Sequence, residues 1–157
     1  MQWTFPTTAS HSSLKTYRQL FIINQTIVSI KKLISYENAL IQIDYVRIYW
    51  VDLVNVRRCR IVPIQYFKQL LVSNRPGVNV AKVCLGLIYL NSSPGFPTIG
   101  EYLYALDMST LRPLSFADGH LCVLGWLEEK TPYQTTDGLT SVQVDLCPRT
   151  LLKRIIQ

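Results

Sequence analysis

The chain has 157 residues, of which 48% are hydrophobic and 17% charged, with a formal net charge of +6. That length suits one domain with a real core rather than two, and the composition excludes an intrinsically disordered chain. The apolar fraction is somewhat high for a free monomer, which fits a surface that expects a partner.

Residues 1–40 read as a separate leader. Residues 1–13 are rich in Thr and Ser, contain Pro6 and His11, and show no periodicity that would bury a face, so they are expected to be flexible. Residues 20–30 are apolar but interrupted by Asn24, Gln25 and Thr26, too short and too polar to span a bilayer. Residues 31–40 read as a weak helix. Lys15, Arg18, Lys31 and Lys32 all precede the first acid, Glu37. A basic, hydroxyl-rich leader of this kind makes a mitochondrial transit peptide the alternative to a cytoplasmic location, with an unrelated or misassembled amino-terminal exon as the plainer reading of the segment.

The organising stretch is 43–67, IDYVRIYWVDLVNVRRCRIVPIQYF. Val46, Ile48 and Trp50 alternate with Tyr45, Arg47 and Tyr49, the pattern of a half-buried strand. Leu53, Val54, Asn55 and Val56 form the turn, with Asn55 the residue that tolerates a left-handed backbone cheaply. Residues 57–62 return as a second strand. Pro63 cannot donate to a ladder and suits a helix start, so it opens a helix over 64–72 in which Ile64, Phe67, Leu70 and Leu71 recur at helical spacing.

Ser73 to Gly77 is a turn signal. Residues 78–90 alternate through Val80, Val83, Leu85, Leu87 and Tyr89 and are expected to form a third strand. A loop follows over 91–98. A fourth strand covers 102–106 and ends at Asp107, read as a turn-capping carboxylate with Ser109 and Thr110 continuing the turn. LCVLGWL, residues 121–127, is nearly continuously apolar and is assigned a central strand. Residues 130–145 are polar and turn-rich and read as a long surface excursion. Pro148 starts a last helix with Leu151, Leu152, Ile155 and Ile156 on its apolar face.

Cys59, Cys84, Cys122 and Cys147 are scattered, with no C-x-x-C and no His pair, so the sequence offers no zinc site and reads as a protein of a reducing, cytosolic compartment. Of Arg57, Arg58 and Arg60, the last two share one strand face and the first takes the other, so the cluster splits across the sheet and does not form a phosphate-binding patch. No nucleic-acid or membrane partner is expected. His120 has no nucleophile and orienting carboxylate assignable to it. Trp50 and Trp126 are expected as core or interface anchors.

Three blocks carry a family resemblance. VRIYWVDLVNVRRCRIVP, which includes Trp50 and Asp52, resembles the start of the amino-terminal β-grasp domain of glutamine synthetases, most closely the fungal and plant glutamine-synthetase-like branch. GEYLYALDMSTLRPL, residues 100–114, is similar to a later run of that family with Gly100, Glu101, Asp107, Ser109 and Thr110 in place, although Leu106 stands where the family has Pro. CPRTLLKRI, residues 147–155, resembles a third block through Pro148 and Arg149. The blocks occur in the family's order.

The resemblance implies an α+β, β-grasp-like fold: a mixed sheet of about five strands with one or two helices packed on one face. It divides the chain into the leader 1–40, a β-grasp domain over 41–146, and residues 147–157 as the first helix of a catalytic domain that would follow. The family is a glutamate-ammonia ligase of glutamine biosynthesis and nitrogen metabolism, which uses ATP and works through a γ-glutamyl phosphate. ATP and Mg or Mn are held by its catalytic domain, so no catalytic, cofactor or metal residue is expected in this chain. A loop before the Gly-Glu block closes part of the neighbouring subunit's site and carries an acid in the family. Here residues 85–99 contain neither Asp nor Glu, and Asn91, Ser92 and Ser93 occupy the place of that substrate-gating loop. Neutral oxygens still accept hydrogen bonds from ammonium without contributing charge. The implied partners are copies of itself or full-length synthetase subunits. The alternative function is a stand-alone β-grasp interaction module that docks on such synthetases, and a small basic nucleic-acid binder ranks last.

Overall fold

The computed structural model describes residues 27, 31, 33–36, 42–89, 91–94 and 98–156. The chain divides into two units, residues 1–40 and 41–157. In the first, residues 33–36 are helical; the readings of residues 1–13, and nearly all of 20–30, lie outside the described residues.

In the second unit the strands are β1 (Tyr45–Val51), β2 (Arg57–Pro63), β3 (Gly77–Ala81), β4 (Leu87–Ile88), β5 (Asn91–Ser92), β6 (Glu101–Pro113), β7 (His120–Gln134) and β8 (Thr140–Gln143), with helices α1 (Ile64–Val72) and α2 (Pro148–Ile156). β1, β2, β3, β6, β7 and β8 make one six-stranded sheet in the order β2-β1-β7-β6-β3, with β8 beside β7. β1 and β7 run parallel, Val46 opposite Leu121, while the other pairs in that sheet are antiparallel. This is a mixed α+β sheet of β-grasp type.

The hairpin forms where turn chemistry and alternation agree. Asn55 takes φ 63, the left-handed value the turn requires. Trp50 pairs with Arg58 and Tyr45 with Pro63, and Pro63, at φ −60, leads directly into α1. α1 buries Ile64, Phe67 and Leu71, joining Val46, Ile48, Val62, Val78, Val80, Tyr104, Leu121, Val123 and Leu127 in the core. LCVLGWL lies in β7, between β1 and β6, as its continuous apolar character requires.

Four expectations need correction. Residues 78–90 are not one strand: β3 stops at Ala81, a 3₁₀ turn covers Lys82–Leu85, and β4 pairs with β5 as a two-residue ladder. The bend is fixed from outside the segment, by Lys82 N donating to Gly100 O at 3.0 Å and Leu53 N donating to Leu85 O at 2.9 Å. The strand expected at 102–106 runs on to Pro113 past Asp107, because the place read as a turn is a β-bulge, with the register shifting between Asp107 and Arg112. The polar excursion at 130–145 contains the end of β7 and all of β8, which pair through Tyr133 and Ser141. Finally, of the two settings expected for Trp126, core or interface, the core is ruled out: it is 40% exposed, on the opposite side of the strand from Leu127 and Gly125.

Candidate functional site

The motif residues assemble into two braces. The first hangs the small β4–β5 hairpin from the β1–β2 turn. The Asp52 side chain is fully buried: Oδ1 accepts from the backbone N–H of Val54 at 3.1 Å and Val56 at 2.7 Å, and Oδ2 accepts from Arg58 Nε at 2.7 Å. A buried carboxylate so placed is paired with a guanidinium and accepts three hydrogen bonds, which offsets the cost of its burial. Arg58 Nη2 also reaches Leu87 O at 3.4 Å, and Ser93 N donates to Gly86 O at 2.9 Å. Asn91, Ser92 and Ser93, expected as the gating loop, therefore sit at the base of a tip on which Tyr89 takes φ 56 and is 96% exposed. Trp50 packs its ring against Tyr104 at 5.8 Å.

The second brace is the β6 bulge. Asp107 Oδ1 accepts from Ser109 N at 3.2 Å and from the Ser109 hydroxyl, while Oδ2 accepts from Arg149 Nη2 at 2.9 Å. Thr110 Oγ1 donates to Asp107 O at 2.7 Å and accepts from Leu124 N at 2.9 Å, taking over a rung that the bulge breaks. Arg149, one residue after Pro148 at the start of α2, also donates through Nη1 to Gly125 O at 3.2 Å and lies 5.9 Å from the Trp126 ring centroid. Glu101 holds Lys130 at 2.8 Å, and Gly100 sits at φ +103, a glycine region.

Tyr104 and Gly125, which sequence reasoning did not single out, join the braces. Tyr104 Oη donates to Tyr49 O at 2.8 Å and accepts from Gly125 N at 2.9 Å. Burial pushes its phenol up to about 12, against the opposing effect of the Gly125 N–H. The available signal was the isolated glycine inside an apolar strand, which marks close backbone approach: a Cβ at Gly125 would collide with the Ala105 carbonyl oxygen.

Several polar groups elsewhere are also engaged. His120 Nδ1 accepts from Arg47 Nε at 3.2 Å, and the ring stacks on Tyr45 at 5.1 Å. Glu128 holds Arg75 at 2.7 Å and Glu129 holds Lys82 at 3.0 Å. Among the described residues no group of three His, Cys, Asp or Glu side chains could hold a metal ion. Asp52, Asp107, Glu101, Glu128 and Glu129 are each held in an ion pair. No described helix is long and apolar enough to cross a membrane. The geometry can position a loop and a helix.

Fold and site together define a small α+β, β-grasp-like domain whose motif residues act as braces. No protein-family model matches the chain, and no curated protein matches it. Among solved structures, the chain matches GmaS in complex with ADP, conformation 1, at TM-score 0.42 and 21% identity over 55% of this chain. It also matches GmaS without ligand at TM-score 0.41 and 21% identity over 54% of this chain. In both cases the match covers 18% of the GmaS chain.

Proposed function

We propose that this chain is the amino-terminal domain of a glutamine-synthetase-like ligase, of the fungal and plant branch. In this reading residues 41–146 are the β-grasp domain and α2 opens onto the catalytic domain. Its work is positional: it presents the tip around Asn91, Ser92 and Ser93 to a neighbouring subunit's site and supplies contacts between subunits, while ATP, its cations and glutamate are handled by other parts of the ligase.

The observation that carries this reading is the meeting of separate motif blocks. Asp107 of the Gly-Glu block and Arg149 of the Cys-Pro-Arg block form an ion pair at 2.9 Å. Within the first block, Asp52 orders the turn from which Arg58 reaches Leu87 O, at the foot of the tip. α2 buries none of its residues and leaves Leu152, Ile155 and Ile156 exposed, an apolar face consistent with further packing.

The test is ATP hydrolysis by the purified chain in the presence of glutamate, ammonium and Mg. The expected rate equals that of a buffer blank. Sustained, glutamate-dependent phosphate release would overturn the proposal.

A further inference from the structure

β2 ends the strand order of the main sheet, and among the described residues no strand lies on its outer side. The phase of the ladder identifies which residues use that edge, because in an antiparallel pair alternate residues exchange both bonds with the partner and those between them point away. The backbone bond from Asp52 N to Val56 O is 3.0 Å and that from Ile64 N to Asp44 O is 2.9 Å. Both lie in phase with the pairs Trp50–Arg58, Ile48–Arg60 and Val46–Val62. Arg57, Cys59 and Ile61 therefore turn N–H and C=O outward, and all three are exposed. An edge with such a row of free backbone groups takes an extended chain by strand addition.

Charge decides the occupant. Arg57 shares its face with Cys59 and Ile61, whereas Arg58 and Arg60 lie on the other. Arg58 is satisfied by Asp52 at 2.7 Å. Among the described residues neither Arg57 nor Arg60 meets a carboxylate; Arg57 only covers the Tyr49 ring, at 5.6 Å. A second copy added antiparallel and centred on Cys59 would set Arg58 against Arg60 on both sides of the centre, and like charges directly opposite are destabilising. The charge that discourages self-pairing suits a strand of opposite sign.

We propose that the β2 edge binds an extended acidic segment of another protein, which adds a strand with carboxylates opposite Arg57 and Arg60 and small or apolar residues opposite Cys59 and Ile61. This does not rest on the synthetase reading, and its outcome is separate from that of the hydrolysis assay.

The probe is a fluorescein-labelled octapeptide with two glutamates three positions apart in a Thr and Val background, compared with the same peptide carrying lysines. Fluorescence anisotropy gives affinity, and amide hydrogen exchange gives location. The glutamate peptide is expected to bind with salt-sensitive affinity and to slow exchange at Cys59 and Ile61. The double variant Arg57→Glu, Arg60→Glu should weaken it by about tenfold with the thermal transition unchanged, since both side chains are exposed. Equal binding of both peptides, no binding up to about 1 mM, or protection away from β2 would overturn the proposal. Concentration-dependent self-association that protects the same two amides without peptide would assign the edge to a second copy and overturn it equally.

Discussion

Arg149 and Asp107, 42 residues apart in sequence, are joined by a 2.9 Å contact from Nη2 to Oδ2. The same guanidinium bonds Gly125 O and lies over Trp126, so one side chain ties the start of α2 to both β6 and β7. α2 buries no residue of its own, which makes this tie its main anchor among the described residues. Replacing Arg149 by Ala should cost global stability only about 1 kcal/mol, because the pair is partly solvated. It should, however, raise amide exchange across α2 markedly. Arg149→Lys should rescue little, since an ammonium cannot span both acceptors with a planar fork. Exchange in α2 that is unchanged in Arg149→Ala would show that the helix is held by something else.

Asp52 should be the most costly carboxylate to remove. Asp52→Ala strips the acceptor from two backbone N–H groups and from Arg58 in a fully buried position, and should destabilise by roughly 3 kcal/mol. Asp52→Asn keeps one carbonyl oxygen for the turn but no charge for Arg58, and should fall between. Urea unfolding midpoints measure both, and the tip over residues 87–93 should lose exchange protection first.

Tyr104 gives the domain a sensitivity to alkali. Its phenol is held up at about 12 in the folded chain by burial, against about 10 when unfolded. Below the unfolded value both states are protonated and the stability is fully present. As pH rises through the window from about 10 to about 12 the unfolded chain ionises first, and stability falls by up to about 3 kcal/mol. Tyr104→Phe should be less stable at neutral pH, since Tyr49 O and Gly125 N lose their partner, yet show a shallower loss across that window. Guanidinium unfolding at a series of pH values separates the two effects.

Gly125→Ala should be far worse than a methyl group ordinarily costs in a strand. The added carbon meets the Ala105 carbonyl, which is backbone on the adjacent strand and cannot swing aside as a side chain would. Overpacking of this kind costs about 1–3 kcal/mol or more. The control is Gly138→Ala, where the added carbon meets nothing within 4 Å and only the cost of its φ of +74 remains, about 1 kcal/mol. Thermal unfolding of the two variants should rank them in that order.

The parts of this fold legible in the sequence are those fixed by neighbours in the chain. The β1–β2 hairpin could be read from alternation and Asn55, and α1 from Pro63 and the spacing of Ile64, Phe67 and Leu71. The misread parts are fixed by distant groups. The alternating stretch after Val80 bends because Gly100 O and Leu53 N claim its backbone. β6 outruns its apolar pattern because Thr110 Oγ1 repairs the bulge from within. β8 was invisible because Thr140 to Gln143 bury no face fully. Of the site residues, Asp52 and Arg149 could be named from their motifs, and the place of Arg149 after Pro148 suits helix-terminal surface or a structural ion pair, but the partners could not be read. The use of Arg58 by Asp52 depends on a turn closing, and that of Arg149 on a helix returning to a sheet.

The proposed role, a positioning part among synthetase subunits, is open to direct observation. Native mass spectrometry of the purified chain mixed with a full-length glutamine-synthetase-like enzyme tests it most directly. Assemblies are expected whose masses include one or more copies of this chain and which weaken when Tyr89, Asn91 or Ser92 is replaced. Only the unmixed enzyme and the free chain, at concentrations of about 10 μM and above, would contradict it.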